Sequence, residues 1–166
     1  MPPFTGIPTR FSTRESAPKL WYKLLRLLRT SGSTLLGFDS MIRKFSVRDL
    51  NHQELHSQRT GEKYSLSAVL TDELGFKAMF VHHEIIPPGR RASGTHFHSQ
   101  REELVFVIDG RVRAWCDGAE VILEPGDFVG FPPGKENAHH LSNDGDSPAK
   151  VLVIASNPDE DQVGYL

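Results

Sequence analysis

The residues with the clearest chemical potential lie in a Thr-His-Phe-His run in the second half of the chain. Side chains two positions apart on a β-strand point to the same face, so His96 and His98 project together and Phe97 points away. Glu103 begins the next predicted strand, and a strand–turn–strand return brings its carboxylate beside the two imidazoles. His139, which follows a Pro-Pro-Gly turn, can supply a third imidazole from a separate strand.

Three imidazoles and one carboxylate form a ligand set for one divalent transition metal. Imidazole favours Zn, Cu, Fe or Ni, and the carboxylate oxygen also admits Mn. Four protein ligands leave one or two positions open in a six-coordinate site, which is typical of a catalytic rather than a structural metal. A lone His-x-His or a lone Glu on a strand is usually not a ligand, so the prediction depends on the ordered set. No other residue is identified as catalytic.

The elements that must position these residues are short strands separated by turn residues. The predicted strands are Tyr64–Leu70, Lys77–Ile86, Glu103–Ile108, Arg111–Cys116, Glu120–Leu123, Asp127–Phe131, His139–Ser142 and Lys150–Ala155. Asp109-Gly110 and Asp117-Gly118 follow two of these strands and favour hairpins. The spacing predicts an all-β sandwich or barrel with no helix longer than a turn or two after residue 41. The Pro-Asp-Glu-Asp stretch near the C-terminus is interpreted as a solvated tail.

The ordered set resembles the two motifs of the cupin superfamily. The first motif, Gly-x5-His-x-His-x3-4-Glu-x6-Gly, is similar to GRRASGTHFHSQREELVFVIDG, which runs from Gly89 to Gly110. His96, His98 and Glu103 fall on the motif positions, and one extra residue precedes His96. The resemblance as a whole covers roughly residues 78–156, the motif-bearing core of the domain.

The second motif, Gly-x5-Pro-x-Gly-x2-His-x3-Asn, is similar to GDFVGFPPGKENAHHLSN, which begins at Gly126. Asn137 stands at the usual histidine position, and His139 with Asn143 restores the His-x3-Asn spacing after a two-residue insertion. The adjacent His140 is the rival for the fourth ligand position. His139 is preferred because Asn143 stands at the family's distance from it, and His140 would then point to the opposite face of the strand.

The resemblance implies a double-stranded β-helix, or jelly-roll barrel, that forms a homodimer. Small single-domain cupins with similar motifs include some named sugar-phosphate isomerase-like, but a fold does not specify a reaction. Three functions stay open. The first is a metal-dependent isomerase, dioxygenase or decarboxylase acting on a small polar substrate, sugar-like or carboxylate. The second is a non-catalytic module whose metal anchors a small ligand, and the third is an interaction module acting through the N-terminal segment.

Three further residues are candidates for substrate binding. Arg101 and Arg113 carry planar guanidinium groups suited to a carboxylate or a phosphate, although strand arginines more often face solvent. Phe131 could line a pocket. His82 and His83 are adjacent, so at most one of them faces the barrel interior, and both are interpreted as structural.

Composition limits the classes of partner. The chain has 166 residues, a net charge of −2 and a single cysteine, Cys116. This length suits one domain, and the near-neutral charge predicts no nucleic-acid partner. No apolar run approaches the roughly 18 residues that a membrane span needs. One cysteine cannot form an intrachain disulfide, which fits a cytoplasmic location.

Residues 1–40 differ from the rest of the chain in charge. They hold six Lys/Arg against two acidic residues, a net of +4 that leaves −6 for residues 41–166. This Ser-, Thr- and Pro-rich extension includes a short basic amphipathic stretch from Trp21 to Arg29. It is interpreted as a surface helix, a transit-type peptide or a poorly ordered extension. Residues 41–166 are expected to form the barrel, beginning with a strand-like run from Ile42 to Val47.

Overall fold

The computed structural model describes residues 44–166, and the predictions for residues 1–40 lie outside this range. The described residues contain the strands Gln53–His56 (β1), Lys63–Val69 (β2), Met79–Ile86 (β3), His96–His98 (β4), Glu103–Asp109 (β5), Val112–Cys116 (β6), Ala119–Leu123 (β7), Phe128–Phe131 (β8), His139–Ser142 (β9), Ala149–Ser156 (β10) and Val163–Tyr165 (β11). One short α-helix (α1, Thr71–Leu74) and two 3-10 turns complete the elements. The predicted all-β class is confirmed. Within the same range, no helix is long and apolar enough to cross a membrane.

The strands form two antiparallel sheets. The order is β1-β2-β3-β10-β5-β8 in the first sheet and β11-β4-β9-β6-β7 in the second. Strand β10 pairs with both β3 and β5. A strand near the end of the chain therefore lies between two strands from its first half, in the middle of the first sheet. Such crossings between sheets are typical of Greek-key and jelly-roll sandwiches.

The two sheets enclose one apolar core. Alternate residues of β5 and β10 (Val105, Val107, Val151 and Val153) pack in one cluster with residues of the second sheet, including Val112, Ala114 and Leu141. This alternation follows from the two-residue period of a strand, because every second side chain of both sheets points inward. At one end of the core, polar residues replace the apolar ones.

The two Asp-Gly pairs behave differently. Asp117 and Gly118 both have positive φ, 46° and 83°, and join β6 to β7 as the predicted two-residue hairpin. Gly110, with φ 77°, instead takes the chain from β5 in one sheet to β6 in the other. A Cβ at Gly110 would lie 2.8 Å from the Cα of Ala149, so the crossing requires a residue with no side chain. The hairpin prediction is wrong at this pair.

The predicted strand from Ile42 to Val47 is also wrong where the structure describes it. Residues 44–46 have no regular structure, and Val47–Asp49 forms a 3-10 turn. The Ser46 hydroxyl accepts a hydrogen bond from the Arg48 backbone N–H at 3.3 Å, so a local cap competes with strand pairing.

Candidate metal centre

His96, His98 and Glu103 meet at the polar end of the barrel. One potential ligand atom from each lies within 4.8 Å of the others. The two histidines share a face of β4, with ring centroids 5.2 Å apart. Glu103 begins β5, and its Oε2 lies 3.7 Å from Nε2 of His98. The strand–turn–strand return expected from the sequence therefore brings these three side chains together.

His139 joins this group from the neighbouring strand. It begins β9 directly opposite His96, and the two ring centroids are 4.7 Å apart. Its Nε2 lies 3.6 Å from Oε1 of Glu103. Each carboxylate oxygen of Glu103 therefore faces a different imidazole, and His139 adjoins both Glu103 and His96.

Each of the three histidines uses Nδ1 for a hydrogen bond outside this group. Nδ1 of His98 lies 2.6 Å from Oδ2 of Asp161, Nδ1 of His139 lies 2.9 Å from the Asn137 carbonyl, and Nδ1 of His96 lies 3.0 Å from the Gly94 carbonyl. Because carboxylates and carbonyls only accept hydrogen bonds, Nδ1 carries the proton and Nε2 a lone pair. This is the arrangement of metal-binding histidines, whose outer nitrogen is fixed by an acceptor.

Nε2 of His139 is the atom whose surroundings best indicate a role in binding a ligand. It is buried and, among the residues that the structure describes, it has no hydrogen-bond partner. Buried polar atoms are nearly always paired, so an unpaired nitrogen beside a carboxylate indicates a group that binds between them. Three imidazole nitrogens and one carboxylate fit a divalent transition metal in kind and in number.

Electrostatics keep two of these residues in their metal-binding forms. Burial lowers the pKa of His96 to about 4, so its imidazole is neutral at physiological pH. Burial alone would raise the pKa of Glu103, but the adjacent His139 and the charge of His96 outweigh it and hold that pKa at about 2. Both groups are therefore ready to donate lone pairs without first losing a proton.

Asp161 is a functional residue that the sequence analysis missed. Its side chain is buried, which contradicts the solvated tail expected there. Besides contacting His98, its Oδ1 accepts hydrogen bonds from the backbone N–H groups of Gln100 and Arg101 at 3.0 and 3.2 Å. Strand β11, two residues further on, pairs Val163 with His98. This short polar segment has no periodicity that indicates burial. It is buried because β11 pairs with β4, a strand that lies about sixty residues earlier in the chain.

His140, the rival for the fourth ligand position, points away from the group. Its ring stacks on Trp115 with centroids 5.3 Å apart, and its Nδ1 lies 3.0 Å from the Thr95 hydroxyl. Adjacent residues of a strand face opposite sides, so with His139 turned inward His140 must lie on the outer face. This is the arrangement that the sequence favours.

The three candidate substrate-binding residues occupy different places. Phe131 is buried and stacks on the His139 ring at 3.7 Å, so it forms part of the wall. Arg101 lies behind His98, with its Nε 3.7 Å from Oδ2 of Asp161. Arg113 lies on the outer face of β6, where its guanidinium contacts Asp144 at 2.6 Å and Glu120 at 2.9 Å. The structure does not bring Arg113 to the cluster, because the alternate residues of β6 face the core.

Comparison with known proteins identifies relatives over most of the described barrel. Residues 82–155 match the family model described as Cupin domain. The crystal structure of a provisionally named sugar phosphate isomerase from Acidithiobacillus ferrooxidans is 31% identical, with a TM-score of 0.64. The alignment covers 74% of this chain and 80% of that one. This likeness confirms the jelly-roll barrel expected from the two motifs.

Two curated proteins from other reaction classes are also similar. Polyketide synthase CurC of Streptomyces cyaneus is 29% identical over 110 residues, which is 66% of this chain and 68% of CurC. Quercetin 2,3-dioxygenase of Bacillus subtilis is 31% identical over 58 residues, or 35% of this chain. The chain spans 17% of the dioxygenase. The names of these relatives describe different chemistries.

Proposed function

Since this chain belongs to the cupin superfamily, we propose that it binds one divalent transition metal through His96, His98, Glu103 and His139. The observation that carries the proposal is the set of three histidines whose Nδ1 atoms are held by acceptors, with a buried and unpaired Nε2 on His139. Mn, Fe, Ni, Cu and Zn all suit this donor set. When bound, such a metal supplies an electrophilic centre that holds and polarises substrate oxygens.

We further propose that the protein is an enzyme of the isomerase or dioxygenase type acting on a small polar substrate, sugar-like or carboxylate. The names of the relatives support these two classes, and four ligands leave room for substrate oxygens. Phe131 stacks on the ring of the ligand His139 and would limit the size of what enters. Arg101, which lies behind His98, would influence the charge of the site through Asp161. Catalytic turnover with metal dependence is the expected behaviour.

The alternative is a non-catalytic cupin that captures a small ligand in a metal-anchored pocket. The same ligands support this alternative, because a metal with open positions binds oxygen donors whether or not a reaction follows. The two functions differ in what happens to the bound molecule. Only an enzyme changes it, at a rate that disappears when the metal is removed.

We also propose a homodimer. Phe106, Ile108 and Phe128 form an exposed apolar patch on the outer face of the first sheet, and Phe128 is 67% exposed. Phe106 and Phe128 are direct partners across β5 and β8, so their rings lie side by side. Apolar clusters of this kind are typical of interfaces, and a second copy offers a matching patch.

Elemental analysis of the purified protein tests the metal proposal. The wild type should carry close to one equivalent of a single transition metal, and a His96→Ala/His98→Ala variant should carry none. His56→Ala is the matched control, because His56 lies exposed on β1. Wild-type protein that is metal-free and takes up none of the five ions would contradict the proposal.

Turnover assays on the loaded protein then separate the enzyme from the binding module. Aldose–ketose interconversion of sugar phosphates is followed by NMR, and oxygen uptake is followed with quercetin. Conversion that stops in metal-stripped protein supports an enzyme. Binding of these molecules without conversion supports the alternative.

A further inference from the structure

A second group of polar side chains lies inside the barrel, on the wall formed by β2 and β3. His82 and Glu84 share a face of β3 with Ile86, which is fully buried in the core. Ser67 of β2 is the direct partner of Glu84 and is also buried. Alternation along the strands therefore points all three polar side chains inward, where apolar residues are the rule.

The three side chains form a hydrogen-bonded unit around one imidazole nitrogen. Nδ1 of His82 lies 3.1 Å from Oε1 of Glu84 and 3.0 Å from the Ser67 hydroxyl. A carboxylate only accepts hydrogen bonds, so Nδ1 of His82 carries the proton and Nε2 carries a lone pair. An imidazole that donates its Nδ1–H to a carboxylate and keeps a lone pair on Nε2 is the usual form of a general base in enzymes.

Two atoms of this unit have no partner among the described residues. Oε2 of Glu84 is buried and unpaired, and the side chain as a whole is only 6% exposed. Nε2 of His82 also makes no hydrogen bond with the described chain, and its side chain is 14% exposed. A buried pair that served packing alone would satisfy both oxygens. The unpaired atoms indicate a unit that accommodates a change of charge and a visiting hydrogen-bond partner.

The unit faces the same interior space as the candidate metal centre. On β10, the strand between them, His82 is opposite Val153 and Glu103 is opposite Ala155. His82 and Glu103 are thus two strand spacings apart across the sheet, about 10 Å, and are also offset by two residues along it, with the inward-facing Val153 and Ala155 of β10 between them. A small molecule bound beside Glu103 would have to extend over Val153 and Ala155 to meet Nε2 of His82.

We propose that His82 is the acid–base residue of this site and that Glu84, with Ser67, is the positioning residue that orients it. This inference rests on the proposed metal-dependent function. A C–H or O–H bond of the substrate breaks, its electron pair stays on the substrate, and the proton forms an N–H bond at Nε2. Return of that proton to another substrate atom completes an isomerisation with no oxidant or reductant. The substrate class is an α-hydroxy carbonyl compound, which has two adjacent oxygens and a proton to move.

The first test is chemical protection of His82 in the metal-loaded full chain. Diethyl pyrocarbonate modifies unprotonated imidazoles, and mass spectrometry of peptides reads each histidine separately. The probe is acetohydroxamate, which presents two adjacent oxygens to a metal. At a probe concentration about tenfold above its Kd, only about one site in ten stays open, so modification of His82 should slow about tenfold. Modification of exposed His56 should keep its rate.

Metal content and probe binding, measured on the same samples, separate the outcomes. Protein that holds metal and probe but modifies His82 at an unchanged rate overturns the acid–base role and leaves the metal proposal standing. Protein that holds no metal overturns both.

The second test reads the positioning role of Glu84 from the imidazole itself. In ¹⁵N-histidine NMR, His82 of the wild type should be the tautomer with the proton on Nδ1. Glu84→Gln should move part of the population to the Nε2–H form and slow modification at Nε2, without loss of bound metal. Glu102→Gln, an exposed glutamate one residue before Glu103, should change neither signal. An unchanged His82 tautomer in Glu84→Gln overturns the positioning role.

Discussion

Oδ2 of Asp161 lies 2.6 Å from Nδ1 of His98, across 63 positions of sequence, and fixes which nitrogen of that imidazole faces the candidate metal centre. The same carboxylate is held by two backbone N–H groups, so its own orientation is fixed by the chain. Burial acts to raise the pKa of Asp161, but the backbone N–H of Gln100 and the contact with His98 outweigh it and lower that pKa. An ionised carboxylate at this position makes His98 a stronger electron donor.

Replacing this carboxylate should weaken metal binding without removing a ligand. Asp161→Asn is expected to lower metal affinity by about 10- to 100-fold, the usual effect of losing an outer partner of a ligand histidine. Competition with a chelator of known affinity measures the change. Glu160→Gln, on the exposed neighbour, should leave the affinity as it is. Equal affinity in wild type and Asp161→Asn would rule out this role for Asp161.

The two adjacent histidines of β9 should differ sharply in their effect on the metal. His139→Gln removes a proposed ligand, so bound metal should fall well below one equivalent. His140→Gln should retain it, because that ring stacks on Trp115 outside the barrel. Elemental analysis, with thermal unfolding to confirm that each variant folds, gives the answer. Loss of metal in His140→Gln with retention in His139→Gln would reverse the assignment.

Acid should destabilise the metal-free protein in two steps. The pKa of His96 falls from its ordinary 6.5 to about 4 in the folded chain, so between these values the unfolded chain binds more protons. Stability should therefore decline as pH falls from 6.5 towards 4. Glu103, lowered from 4.5 to about 2, adds a decline between those values. Urea unfolding at stepped pH measures both, and His96→Asn should flatten the upper step. A denaturation midpoint that stays constant through the upper window in wild type would contradict the expectation.

Two glycines with positive φ should differ in their tolerance of alanine. Gly118→Ala adds a methyl group with nothing within 4 Å, so only the left-handed backbone costs, about 1–2 kcal/mol. Gly110→Ala carries the same cost and also forces a contact of 2.8 Å with the Ala149 backbone. The free energy of unfolding from urea titration should therefore drop further in Gly110→Ala. Equal losses would mean that the crossing between sheets adjusts freely.

The exposed pair on the first sheet should control the oligomeric state. Phe128→Asp places a charge on the proposed interface and should convert a homodimer to a monomer in sedimentation experiments. Val121→Asp is a comparable change at a 49% exposed residue on β7, in the other sheet, and should leave the dimer intact. A wild-type protein that sediments as a monomer would remove the dimer proposal.

The sequence predicted the parts of this protein that depend on local pattern. β-Rich runs bounded by turn residues located most strands to within a residue or two, and His96 and His98 share a face as the two-residue period of a strand requires. Asp117-Gly118 formed its hairpin because both residues adopt positive φ locally. Asp109-Gly110 has the same letters, but the sheet to which the next strand pairs decides whether such a turn is a hairpin.

The features that could not be predicted from the sequence depend on contacts between segments that are distant along the chain. The burial of Asp161 follows from β11 pairing with β4, and three residues of strand carry too little pattern to predict that pairing. His82 was interpreted as structural because adjacent histidines reveal neither which one faces inward nor what it meets there. Only the register of β2 against β3 places Ser67 beside the pair formed by His82 and Glu84.

Strand β11 has a consequence for the order in which the protein matures. All four proposed ligands have been synthesised by residue 139, yet the carboxylate that orients His98 arrives only with residue 161. A nascent chain, or a fragment that stops between these points, would present a complete set of ligands with one of them loosely held. Metal captured at that stage would exchange readily, and tight retention would begin only when the C-terminal strand closes against β4.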